Sequence, residues 1–119
     1  MLSLNTATRY LLYQKGTDMR KSFCGLCGIV NNELKMELLT GDVFIFLNKR
    51  KSHAKLLQWQ GDGFAIYYKR LEKGTFELPA LAADQVHSII TCNQLTLIMQ
   101  GVSLKRVIYR KRYMLQKTA

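Results

Sequence analysis

The stretch that decides the fold runs GDVFIFLNKRKSHAKLLQWQGDGFAIYYKR, from Gly41 to Arg70. Three segments in it are apolar or alternate with a period of two: Val43 to Leu47, Lys55 to Trp59 and Phe64 to Tyr68. A period of two sends successive side chains to opposite faces, so these are predicted strands, joined as an antiparallel meander. Gly61, Asp62 and Gly63 form a hairpin signal, because glycine takes positive φ without steric penalty and Asp tolerates it. The other connection carries Lys49, Arg50, Lys51 and His53.

Upstream, Tyr10 to Tyr13 is a short apolar run that would extend the sheet. From Thr17 onward, Met19, Phe23, Leu26, Cys27, Val30 and Leu34 recur at three- and four-residue steps, the mark of an amphipathic helix. Thr17 or Asp18 would cap its start, and Gly25 and Gly28 suggest close approach of another element. Downstream, Glu72 to Phe76 has the composition of a further turn and strand start, and Pro79, which lacks an N–H, ends regular pairing. Thr91 and Gln94 then make a capping-box pattern, with Ile90 and Leu95 as a staple and Leu95, Ile98, Met99 and Val102 as the buried stripe of a second helix ending near Gly101. The expected architecture is one α+β domain over residues 1–119: an antiparallel β-meander sheet with two or three helices packed on one face, and residues 103–119 as a basic strand or arm.

Size and composition agree, since 119 residues with 48% hydrophobic and 22% charged side chains suit one ordinary core. Charge stands apart: 18 Lys and Arg against 8 Asp and Glu leave +10, which attracts polyanions and makes nucleic acid the leading partner class. The longest apolar runs are of strand length, so no membrane segment is expected. The opening MLSLNTATRYLLYQKG has no secretory pattern, and three cysteines form no disulfide framework, so a cytoplasmic protein with reduced thiols is expected.

Motifs for chemistry are scarce. Cys24 and Cys27 spell C-G-L-C, yet a zinc site needs a second pair, and Cys92, His87 and His53 do not supply one at close spacing. We therefore read both thiols as helix-packing groups and expect no metal and no cofactor. The chain has no G-x-S-x-G elbow, P-loop or dinucleotide fingerprint. Asp18, Asp42, Asp62, Glu72 and Glu77 are the carboxylates available to a metal-dependent nuclease, but each has a simpler place at a cap, turn or salt bridge. No enzyme is expected.

Basic residues interleaved with aromatics are the stronger signal, since cations neutralise phosphates while an aromatic stacks on a base. The candidate nucleic-acid-binding residues are Arg20 and Lys21; Lys49, Arg50, Lys51 and Lys55 with Trp59; Lys69, Arg70 and Lys73; and Arg110, Lys111 and Arg112 of the tail. Trp59 is either an exposed stacking platform or a core residue. No helix-turn-helix, zinc-finger or RNA-recognition signature points to sequence-specific readout.

DMRKSFCGL, Asp18 to Leu26, and GDVFIFLNKRKSHAKLLQWQGDGFAIYYKRLEKGTFELP, Gly41 to Pro79, resemble the accessory protein, often labelled TnpB, of the sixty-six family of bacterial insertion sequences. QLTLIMQGV, Gln94 to Val102, continues the resemblance in order. That family is distinct from the large RNA-guided nucleases sharing its label. The resemblance implies a protein encoded beside a separate transposase and needed for efficient movement of the element, with no catalytic residues. The chain departs from the family at Cys24, where an acidic residue is usual, and near Cys27, where a small one is, so C-x-x-C looks like local variation. The expected function is a non-catalytic accessory factor in transposition that binds nucleic acid, chiefly DNA, through charge. The alternative is an adaptor that holds the transposase or another accessory protein without touching DNA, with Trp59 or Tyr68 as anchor.

Overall fold

A computed structural model of the chain describes residues 4–78 and 85–100. Its elements are β1 (Tyr10–Tyr13), α1 (Phe23–Ile29) continued by a π-helical turn (Val30–Leu34), β2 (Val43–Leu47), β3 (His53–Trp59), β4 (Phe64–Arg70), β5 (His87–Ile90) and α2 (Cys92–Met99). The strands form one open five-stranded sheet in the order β4-β3-β2-β1-β5. The meander forms as expected: β2 pairs antiparallel with β3 and β3 with β4, Phe44 opposite Leu57 and Leu57 opposite Ile66. The α+β class holds as well.

Two features differ from expectation. β1 lies beside β2 in the sheet centre and runs parallel to it, Leu11 opposite Phe44, so the sheet is mixed. Parallel neighbours need a crossover, and α1 with the long return to β2 supplies it. The helices also lie on opposite faces rather than one. Tyr10, Leu12, Val43, Ile45 and Leu56 pack with Leu95 and Ile98 of α2, whereas Leu11, Tyr13, Phe44, Phe46 and Leu57 pack with Leu26 and Ile29 of α1. The reason lies in VFIFL: five consecutive apolar side chains point alternately to both faces, and a helix layer on one face would leave the other half in water. Each such fully buried Leu, Ile or Phe contributes about 1.5–3 kcal/mol.

The helix starts also separate the two ends of the molecule. α2 begins as expected: the Thr91 hydroxyl accepts from Gln94 N at 3.0 Å, and the Gln94 side chain accepts from Thr91 N at 2.9 Å. α1 begins later than expected, after Ser22, with no side-chain cap. The residues before it are used otherwise, as a strap against the sheet: Thr17 N donates to Leu47 O at 2.8 Å. Gly25 and Gly28 admit no sheet element; a Cβ at Gly25 would meet the Lys21 side chain, and at Gly28 only Asn32 at 4.0 Å. The close approach is at Gly16, where a Cβ would lie 3.1 Å from the Lys49 Cα. Glu72 to Phe76 forms no strand, but Phe76 is buried in the α2-side core. Pro79, and Gly101 and Val102 at the expected end of the second helix, lie outside the described residues.

Candidate nucleic-acid interface

Asn48 builds the turn between β2 and β3. Its Oδ1 accepts from Ser52 N at 2.9 Å and His53 N at 3.0 Å, replacing backbone pairing as short polar side chains do in turns. Lys51 N donates to Asn48 O at 3.0 Å, and the segment after β4 grips the turn through Leu71 N to Ser52 O at 2.8 Å and Phe76 N to Lys51 O at 2.7 Å. Lys51 sits at φ 60°, a left-handed conformation that costs a non-glycine residue roughly 1 kcal/mol and persists where surrounding bonds over-determine it. The result is a rigid turn presenting Lys49, Arg50 and Lys51 to solvent, none of them ion-paired among the described residues.

A cleft of about 390 Å³ opens between this turn and the strap, lined by Gly16, Thr17, Asp18 and Met19 on one side and Asn48, Lys49, Arg50 and His53 on the other. Thr17 is 5% exposed, and its buried hydroxyl has no hydrogen-bond partner among the described residues. Asp18 is the one carboxylate in the cleft wall, and Arg20 engages it with contacts of 3.1, 3.0 and 2.7 Å. Hydrogen bonds from the Arg20 side chain and backbone hold the Asp18 carboxyl down at about 2, so it stays ionised and paired. Lys49 and Arg50 therefore leave the cleft cationic.

The expected site residues divide by environment. Lys49, Arg50 and Lys51 come together on the turn; Lys21 and Lys73 are exposed. Arg20 is spent on Asp18, and Arg70 pairs with Glu72 at 2.7 Å, although both remain exposed. Lys55 is corrected from contact residue to internal support: it is 8% exposed, and its Nζ donates to Met19 O at 2.8 Å and Lys21 O at 2.7 Å. A central strand position leaves its ammonium no solvent, and the strap carbonyls replace the lost water. Lys69 reaches across the α2 face to donate to Met99 O at 2.6 Å, at the helix end where cations satisfy orphan carbonyls. Trp59 is half-buried, with its ring 5.0 Å from that of Phe64, edge to face. Arg110, Lys111 and Arg112, with the rest of the tail, lie outside the described residues.

Sequence reading missed Gly16, Asn48 and Ser52. A lone glycine after a strand and an Asn opening a cationic turn were the available signals. Tyr67 and Tyr68, adjacent on β4, are both exposed, at 46% and 51%. Among the described residues no three His, Cys, Asp or Glu side chains converge as a metal site. Cys24 is exposed and Cys27 half-buried; burial, then Cys24, pushes the Cys27 thiol up. Asp42 holds Arg9 through contacts of 2.6 and 3.2 Å. No helix among the described residues is long and apolar enough to cross a membrane.

Fold and site together define a small, basic α+β protein that presents a rigid cationic turn among its described residues. A family profile described as IS66 Orf2 like protein matches residues 8–108, and the chain belongs to that family, which is associated with transposition of insertion sequences. The three segments that carried the resemblance fall within the match. The chain is also similar to the uncharacterized protein y4jC of Sinorhizobium fredii (strain NBRC 101917 / NGR234), 26% identical over 107 residues that cover 90% of each chain. Uncharacterized protein y4hO of the same strain is 31% identical over 86 residues, 72% of this chain and 73% of that one. No solved structure matches the chain at a significant level.

Proposed function

We propose that this protein is a non-catalytic accessory factor in the movement of an insertion sequence and that it contacts nucleic acid, chiefly DNA, through charge. The observation that carries the reading is the Asn48–Ser52 turn, which holds three solvent-facing cations, without carboxylate partners among the described residues, in a conformation that costs backbone strain. Phosphate contacts of this kind position a protein without reading bases, which agrees with the lack of a readout motif. In a bacterial cell this work belongs in the cytoplasm, where the element and its transposase meet.

The test is a titration of DNA carrying the element's ends, and of unrelated DNA, with purified protein at 50 to 200 mM salt. With four to six phosphate contacts the affinity falls by roughly two to three orders of magnitude across that range. Absence of binding to either DNA at low salt, together with salt-resistant capture of the transposase, would replace this reading with the adaptor.

A further inference from the structure

The cleft and an exposed aromatic ring meet at His53. His53 lines the cleft, and its ring centroid is 6.0 Å from that of Tyr68 on the neighbouring strand. Tyr68 is 51% exposed, and the buried Lys55 ammonium lies 4.8 Å from its centroid, a cation–π contact that fixes the ring from the protein side. The His53 tautomer follows from its neighbours. With Asn48 Oδ1 accepting two backbone N–H groups, Nδ2 must donate, and it reaches Ser52 Oγ at 3.0 Å and His53 Nδ1 at 3.2 Å. Ser52 Oγ, 2.8 Å from Nδ1, then gives its own proton to that nitrogen. Nδ1 is an acceptor, so the neutral ring carries its proton on Nε2, a donor with no partner among the described residues.

We propose that this corner is a site for one nucleotide of a single strand, its phosphate in the cleft between Lys49, Arg50 and the His53 Nε2–H and its base stacked on Tyr68. The inference rests on the nucleic-acid reading and narrows it. A base inside a duplex is already stacked on both sides and cannot reach a ring, whereas an unpaired base offers its face to any aromatic next to a phosphate anchor. Tyr67 is the built-in control: similarly exposed at 46%, it precedes Tyr68 on β4 and points to the opposite face of the sheet, away from the cleft.

Fluorescence anisotropy with labelled oligothymidylate and with the matching dA·dT duplex tests the site. Tyr68→Leu should weaken oligothymidylate binding roughly tenfold, the order of one lost base–aromatic stack, and leave duplex binding unchanged. Tyr68→Phe should bind as wild type does, and Tyr67→Leu should change neither affinity. Should Tyr68→Leu fail to fold, Tyr68→Trp answers the question: its emission should be quenched by oligothymidylate and that of Tyr67→Trp should not. Equal effects at positions 67 and 68, or equal losses on single strand and duplex, overturn the single-strand site and leave charge-based binding standing. Wild-type protein that binds neither probe at low salt overturns both.

Discussion

Two turns join the three strands of the meander, and they are built on opposite plans. The Gly61–Gly63 turn is a minimal hairpin: Gly61 takes φ 92°, Gln60 N donates to Gly63 O at 2.9 Å, and a Cβ at Gly61 or Gly63 would meet open space. It connects β3 to β4 and touches little else. The Asn48–Ser52 turn has a lysine, not glycine, in the left-handed position, and it is held by its own Asn48, by Gly16 packed on Lys49, and by Leu71 and Phe76 from beyond β4. Strain is kept where a glycine would relieve it, beside three cations with no ion pair among the described residues. On the proposed reading, that is the difference between a turn that serves its side chains and one that serves its backbone.

The comparison breaks most readily on the charges. Replacing Lys49, Arg50 and Lys51 together with Gln should flatten the slope of log affinity against log salt by up to about 2.7, at about 0.9 for each phosphate no longer neutralised. Asp62→Asn at the other turn should leave that slope as it is. Equal slopes in the wild type and the triple variant would remove the functional distinction between the turns.

The next effect is on stability. Lys55→Met keeps the apolar stem of the side chain but leaves the Met19 and Lys21 carbonyls without their donor, at a cost of about 1–3 kcal/mol in urea denaturation. Lys49→Met, on the exposed turn, should stay within about 0.5 kcal/mol of wild type. Similar losses at both positions would show that Lys55 is not the internal support its hydrogen bonds describe.

Asn48→Ala should cost about 1–2 kcal/mol, because two backbone N–H groups lose their acceptor, whereas Asp62→Ala should lie near zero. A larger loss at Asp62 would reverse the assignment of which turn is over-determined.

The smallest effect concerns Asp18. Its carboxyl is held at about 2 from an ordinary value of 3.8, so its pairing with Arg20 stabilises the fold fully above the ordinary value and is lost as pH falls toward 2. Asp18→Asn should remove that acid-side slope from the stability profile near pH 2 to 4. It should also tighten DNA binding slightly, because Arg20 is released and one negative charge leaves the cleft wall. Unchanged acid sensitivity would show that the pair contributes nothing in solution, as many exposed pairs do not.

Much of this was legible in the residues. Period-two runs separated by turn residues carried β2, β3 and β4, and Thr91 with Gln94 marked the start of α2 to the residue, because a capping box is a local bonding pattern. Of the site, the exposed Lys49–Lys51 group was visible as a polar break between strands. The carbonyl partners of Lys55 and Lys69 were not legible, because what a side chain meets depends on what crosses above it. The strap over Lys55 and the end of α2 beside Lys69 come from segments about 30 or more residues away.

By itself the sequence determined that the chain is basic, that its middle third is a meander, and to which family it belongs. These follow from composition, period and motifs in register, all read over short spans. Only the tertiary structure decided that β1 runs parallel beside β2, that the helices cover opposite faces, and that Gly16, Asp18, Lys49, Arg50 and His53 border one cleft beside Tyr68. Strand order and cleft walls are set by packing between segments far apart in the chain. That packing is chosen by which arrangement buries both faces of β1 and β2 at once, a condition no local pattern expresses.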